Sequence, residues 1–258
     1  MTTIRRALLL ACILASGAAA AAEESAGAGA DWMTWRADDD VTNLASLQRG
    51  ARNFMGYCLG CHSLKYERYS RLGEDLGLTP EELQQFLIAP GDKPADYILT
   101  TMPAGDAATW FGKTPPDLSL MARARGSDYL YQFLKTFYVD SSRPTGANNL
   151  RLAATSMPAV LSELEGLKSS VFRDEEETGA DGKVVKLQVF DHFQQIAPGR
   201  MNAAEYDAFV HDTVNFLDYA GEPTQAERRA LGLWVVLFLL VFTWLAWLLK
   251  QQYWKDVH

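Results

Sequence analysis

Cysteine is scarce in this chain, with three in 258 residues, and histidine is hardly more common, with four. Three thiols cannot build the disulfide framework that staples small secreted domains. A structural zinc site would want further Cys or His at ligand spacing, and His192 is far in sequence from the cysteines. Positive charge is also in short supply: 24 Lys and Arg face 32 Asp and Glu, for a formal charge of -8. Nucleic acid is therefore a poor partner, and a basic protein a better one. There is no internal repeat. Against this scarcity, Cys58-Leu59-Gly60-Cys61-His62 gathers two of the three cysteines beside a histidine.

Both ends of the chain carry membrane signals. Residues 1–6 include Arg5 and Arg6, residues 7–14 are apolar, and residues 15–22 are all Ala, Gly or Ser, the pattern of a secretory signal peptide cleaved after residue 22. Residues 23–41 then form a flexible, solvated leader. At the other end, residues 230–249 contain no charge, and as a helix they span about 30 Å, the thickness of a hydrocarbon core. Trp234 near one end and Trp247, Tyr253 and Trp254 near the other suit interfacial anchors, while Trp244 lies deeper. Basic residues flank the span equally, Arg228 and Arg229 before it, Lys250 and Lys255 after it. Orientation therefore rests on the signal peptide, which exports the domain and leaves the tail inside. The expected organisation is a periplasmic domain over 42–223, an anchor helix over 224–250 and a cytoplasmic tail over 251–258, in a bacterial inner membrane.

Within the domain, Leu44, Leu47, Ala51, Phe54 and Met55 recur at helical spacing and run into the cysteines. Thr79-Pro80-Glu81-Glu82 predicts a helix start, and Asn202 with Glu205 predicts another for the helix carrying Tyr206, Phe209, Val210, Phe216 and Leu217. Thr224 and Glu227 repeat the pattern just before the anchor. Ser127 is expected to cap a helix with Leu130, Phe133, Leu134 and Phe137, and a shorter helix follows Pro158. Five prolines make 89–117 a loop. Residues 174–190, with a turn at Asp181-Gly182, are the one stretch that predicts strand.

C-x-x-C-H is the attachment pattern of c-type haem, and its chance expectation at this composition is about one in two thousand. On one helical turn Cys58 and Cys61 can each form a thioether with a haem vinyl group, and His62 is then held under the iron as proximal ligand. A redox dithiol would want a βαβ setting, whereas Cys58 follows a helix. A sixth ligand separates a carrier from an open-site catalyst. Met102-Pro103 and Met157-Pro158 both place a thioether in a proline-stiffened loop, and spacing leaves the two nearly even. Met121 and Met201 are more simply packing residues.

The stretch C-x-x-C-H-S-L-K-Y-x-R-Y from Cys58, Pro115-Pro116-Asp117-Leu118-Ser119 with Arg123-Ala124-Arg125, Gly199-Arg200-Met201 with Glu205-Tyr206-Asp207, and the Tyr253-Trp254-Lys255-Asp256-Val257 tail together resemble the cytochrome c1 family of the cytochrome bc1 complex. The resemblance covers the chain from about residue 42. It implies a mainly α, cytochrome c-like helical haem domain with loop insertions and a small β element, plus one C-terminal transmembrane helix. It implies one haem c, with Met157 rather than Met102 as sixth ligand and with Arg125 and Tyr129 near the propionates; a solvated arginine at a helix start is the plainer view of Arg125. It also implies a one-electron relay from the Rieske iron-sulfur protein to a cytochrome c, beside cytochrome b, in a dimeric quinol–cytochrome-c reductase. This chain itself needs no catalytic acid or base. Where the family commonly has Phe-Pro before the ligand methionine, this chain has Leu150-Arg151-Leu152-Ala153-Ala154-Thr155-Ser156. The acidic run 174–177 can attract a basic cytochrome c, or be a plain solvated loop. The alternatives are an anchored cytochrome subunit of a terminal oxidase or dehydrogenase, and an open-site haem peroxidase or sensor.

Overall fold

Two helices from opposite ends of the domain cross at its centre. Helix α1, Leu44–Tyr57, starts where the Asn43 side chain accepts a hydrogen bond from the Ser46 N–H at 3.2 Å. It packs on the long C-terminal helix of the domain, Ala203–Gly221. Gly50 permits the close crossing: a Cβ there would lie 2.1 Å from the Asp212 carbonyl oxygen. Polar pairs lock the register, since Asn53 Nδ2 donates to the Phe209 carbonyl and to Thr213 Oγ1, and Asp212 accepts from both Ser46 Oγ and Arg49. Phe54 meets Phe216 with ring centroids 5.8 Å apart.

This computed structural model describes residues 31–178 and 184–255. The expected signal peptide 1–22, the first part of the leader, the Asp181-Gly182 turn and His258 lie outside the described residues. After α1 come strand β1, Leu64–Arg68, helices α2, Tyr69–Asp75, and α3, Pro80–Phe86, strand β2, Tyr97–Ile98, and helices α4, Ala104–Phe111, α5, Met121–Arg125, and α6, Ser127–Lys135. Strands β3, Phe137–Val139, and β4, Ala147–Asn149, precede the short helix α7, Ser162–Glu165. Strands β5, Gly166–Thr178, and β6, Val184–Pro198, lead to α8, the helix that crosses α1, and to α9, Gln225–Tyr253. The strands form three separate antiparallel pairs, β1 with β2, β3 with β4 and β5 with β6. Phe54, Leu64, Tyr69, Leu72, Ile98, Val210, Val214 and Phe216 are all fully buried in one core.

The fold is the expected mainly α domain with small β elements and one apolar C-terminal helix, but several local expectations need correction. Residues 31–41 are not part of a solvated leader: Trp32 and Ala37 are buried, Gln132 Nε2 donates to the Met33 and Trp35 carbonyls, and Arg36 pairs with Asp128 at 2.6 Å. The 89–117 loop contains β2 and α4, because Pro103 and the left-handed Gly112 (φ 78°) bound eight residues that are free to coil. Ser127 is the first residue of α6 rather than its cap, and its hydroxyl donates to Asp39 instead. Thr224 makes no side-chain cap; Glu222 holds that junction by pairing with Arg228 and Arg123. The strand expected over 174–190 belongs to a longer hairpin running from Gly166 to Pro198. The capping boxes at Thr79 and Asn202 are both formed.

Candidate haem site

The cysteine motif continues the end of α1 as one further turn. The Cys58 N–H donates to the Phe54 carbonyl at 2.8 Å, and the Cys61 and His62 N–H groups both donate to the Cys58 carbonyl, at 3.0 and 2.8 Å. Cys58, Cys61 and His62 thus sit on a single turn, and both cysteines are free thiols. Burial pushes the Cys58 thiol up to about 12, with Cys61 beside it adding to the rise. Such a thiol is poorly suited to serve as the reactive thiolate of a redox dithiol.

His62 is aimed by the segment the resemblance singled out. Its Nδ1 lies 2.7 Å from the Pro116 carbonyl oxygen, so Nδ1–H donates there and Nε2 keeps its lone pair for a metal. Burial lowers the imidazole pKa, against the Pro116 carbonyl and the Asp117 charge, which raise it; the neutral form is the ligating one. The Leu118 N–H donates to the Ser63 carbonyl at 2.9 Å. Asp117 accepts from the Lys65 N–H at 2.9 Å, and Ser119 Oγ from the Tyr66 N–H at 3.2 Å. The two stretches are sewn together residue by residue, which gives the P-P-D-L-S segment a physical role.

Cys58, Cys61, His62, Met157, Arg125 and Tyr129 all line one cavity of about 360 Å³. Its walls are mostly apolar, including Phe111, Leu130, Phe133, Leu161, Phe209 and Leu217. Met102 is not among the lining residues, whereas Met121 is. Met121 begins α5, three residues after Leu118, and so stays with the wall tied to the His62 segment. Met157 comes from a different segment, whose N–H donates to Thr155 Oγ1 at 3.3 Å. Without the family's Phe-Pro, this loop is held by two asparagines. Asn148 Oδ1 accepts from the Ala154 N–H, and Asn149 Oδ1 accepts from the N–H groups of Arg151 and Leu152. The residues present fit a c-type haem: two thiols and an imidazole on one turn, a thioether across an apolar cleft, and cations at its rim.

One cation escaped sequence reasoning: Arg151, which lines a hollow that adjoins the cavity at Arg125 and Tyr129. The Arg151 guanidinium lies 4.6 Å from the centroid of the Tyr129 ring, and Arg125 lies 5.5 Å from the same centroid. No periodicity or spacing could have joined residues 129 and 151, because a turn of strand and loop separates them. The other histidines are elsewhere: His192 pairs with Asp191 at 2.8 Å on β6, and His211 Nε2 lies 3.3 Å from the Asp38 carbonyl. Among the described residues no cluster of three or more His, Cys, Asp or Glu could hold a metal ion.

A mainly helical domain with this cleft, next to one helix long and apolar enough to cross a membrane, defines the class of membrane-anchored c-type cytochromes. A family model described as Cytochrome C1 family matches residues 35–257. Cytochrome c1 of Allochromatium vinosum is 45% identical over 86% of this chain and 88% of its own length. A Nitrosomonas europaea protein named ammonia monooxygenase gamma subunit is 41% identical over the same shares. Cytochrome c1 of Rhodospirillum rubrum is 30% identical, covering 100% of this chain and 99% of its own. The chain belongs to the cytochrome c1 family and is accordingly a haem c subunit of the cytochrome bc1 complex. The oxidase or dehydrogenase subunit and the open-site peroxidase or sensor are not favoured.

Proposed function

We propose that this subunit relays single electrons from the Rieske iron-sulfur protein to a soluble or membrane-bound cytochrome c, with its domain on the periplasmic side and cytochrome b beside its anchor in a dimeric complex. The haem supplies the one-electron couple. The chain's residues hold and tune it. Cys58 and Cys61 would hold the haem through thioethers, each S–H adding across one vinyl group with no oxidant required. His62 would offer Nε2 to the haem iron, because its Nδ1–H is held by the Pro116 carbonyl, and Met157 would supply a thioether as the second protein ligand, a His/Met pair that raises the potential. Arg125 and Tyr129, which line the same cavity, would face the propionates, and the apolar walls would exclude water from the bound haem. The observation that carries this reading is the gathering of the C-x-x-C-H turn and Met157 around one cavity.

The proposal is tested by purifying the full-length chain in mild detergent from its own membranes. Cytochrome b and a Rieske protein should copurify, and haem c should be reduced by quinol only while the Rieske protein is present. A haem c that quinol still reduces after Rieske removal would overturn the electron path.

A further inference from the structure

Arg125 and Arg151 both reach the ring of Tyr129, at 5.5 and 4.6 Å from its centroid. That ring lies parallel to Phe133, 6.3 Å away, at the edge of the haem cavity. Both arginines also line a hollow that adjoins the cavity through Tyr129. Neither guanidinium has a carboxylate partner among the ion pairs of the described residues. Asp128, the carboxylate that lines the same hollow, is already taken by Arg36 and by the Ala37 N–H. Two exposed guanidinium groups over one ring, neither with a carboxylate partner among the described residues, make this hollow a favourable place for an anion.

Arg151 is also fixed in place rather than hanging on a free loop. Its N–H donates to Asn149 Oδ1 at 2.8 Å, and Asn149, 1% exposed, donates from Nδ2 to the Phe133 carbonyl at 2.7 Å. The loop that bears Arg151 is thereby tied to α6, the helix that bears Tyr129. We infer that Arg151 is a second anion-binding arm beside Arg125, the two guanidinium groups taking the two haem propionates, one each. Guanidinium suits this role because its fork matches a carboxylate and it is always charged. The inference rests on the proposed haem placement. Arg151 is a positioning residue that acts on the potential through propionate charge, not a ligand.

The test is the haem midpoint potential as a function of pH, in the complex carrying full-length Arg151→Gln, Arg151→Lys or Arg125→Gln. Removing a cation near the iron disfavours neither ligand but disfavours reduction, so Arg151→Gln should lower the potential at alkaline pH. The expected size is about a tenfold shift of the equilibrium, or 59 mV for one electron. The pH-dependent step should also move upward, because a propionate without its guanidinium binds a proton more readily. Arg151→Lys should recover most of both changes. A shift with Arg125→Gln but none with Arg151→Gln would overturn this inference while leaving the haem placement intact. No shift with either would remove the cationic rim altogether.

Discussion

Single residues set the chemistry here, and they differ in how far sequence could disclose them. Cys58, Cys61 and His62 declare themselves by adjacency, since the attachment chemistry needs one helical turn. Met157 does not: spacing leaves it level with Met102, the family resemblance favours Met157, and the cavity agrees with that preference, with Met157 on its wall and Met102 off it. Glu67 is a residue no pattern marks. It is 5% exposed, and its Oε1 has no hydrogen-bond partner. Burial, with Asp75 adding to it and Arg71 opposing it, raises its pKa from 4.5 to about 7. The folded state therefore keeps a proton that the unfolded state releases between those two values. By linkage, this group costs stability progressively as pH rises from about 4.5 through about 7. Glu67→Gln should remove that decline, so denaturant midpoints of variant and parent should diverge in the variant's favour as pH rises across the window. Parallel curves would mean that Glu67 ionises freely in the fold.

Elements follow the sequence where their signals are local. The capping boxes at Thr79 and Asn202 lie wholly within one turn, and both form. Elements escape it where a distant partner decides. Ser127 gives its hydroxyl to Asp39, and at the start of α9 Glu222 pairs with Arg123 and Arg228 while Thr224 makes no side-chain cap. The β5–β6 hairpin is a two-stranded ribbon with much of both faces exposed, so it lacks the alternation of a half-buried strand, and Phe172 against Phe190 is a cross-strand contact that only pairing creates. The α1–α8 crossing is the element-scale feature with the tightest tolerance. Gly50→Ala would drive a methyl group to 2.1 Å from a backbone oxygen. The helices must part, at a cost near the upper end of the usual 1–3 kcal/mol for overpacking, about 3 kcal/mol. Thermal unfolding should show a melting temperature lower by about 5–10 °C. An unchanged melting temperature would show that the crossing is looser than its geometry.

At the scale of the whole molecule, the chain is a haem-holding domain joined to an apolar rod. Apart from Gln225 at its start, α9 buries none of its residues against the domain, and its 29 residues extend about 43 Å. The exposed Trp234, Trp244, Trp247, Tyr253 and Trp254 leave that rod to lipid and to neighbouring helices. This organisation was legible because a long uncharged run needs no tertiary context. The haem pocket was legible only in part, since its lower wall is a motif and its upper wall is a loop placed by Asn148 and Asn149. The proposed relay would need His62 and Met157 both to hold the haem iron, so that the site would exchange electrons and not ligands. The decisive measurement is a redox titration of the full-length Met157→Leu protein, in detergent, beside the parent and Met102→Leu. Loss of the thioether should lower the haem potential markedly and let carbon monoxide bind the reduced form, while Met102→Leu behaves as the parent. A Met157→Leu protein with unchanged potential and no carbon monoxide binding would contradict the assignment of His62 and Met157 as the axial pair.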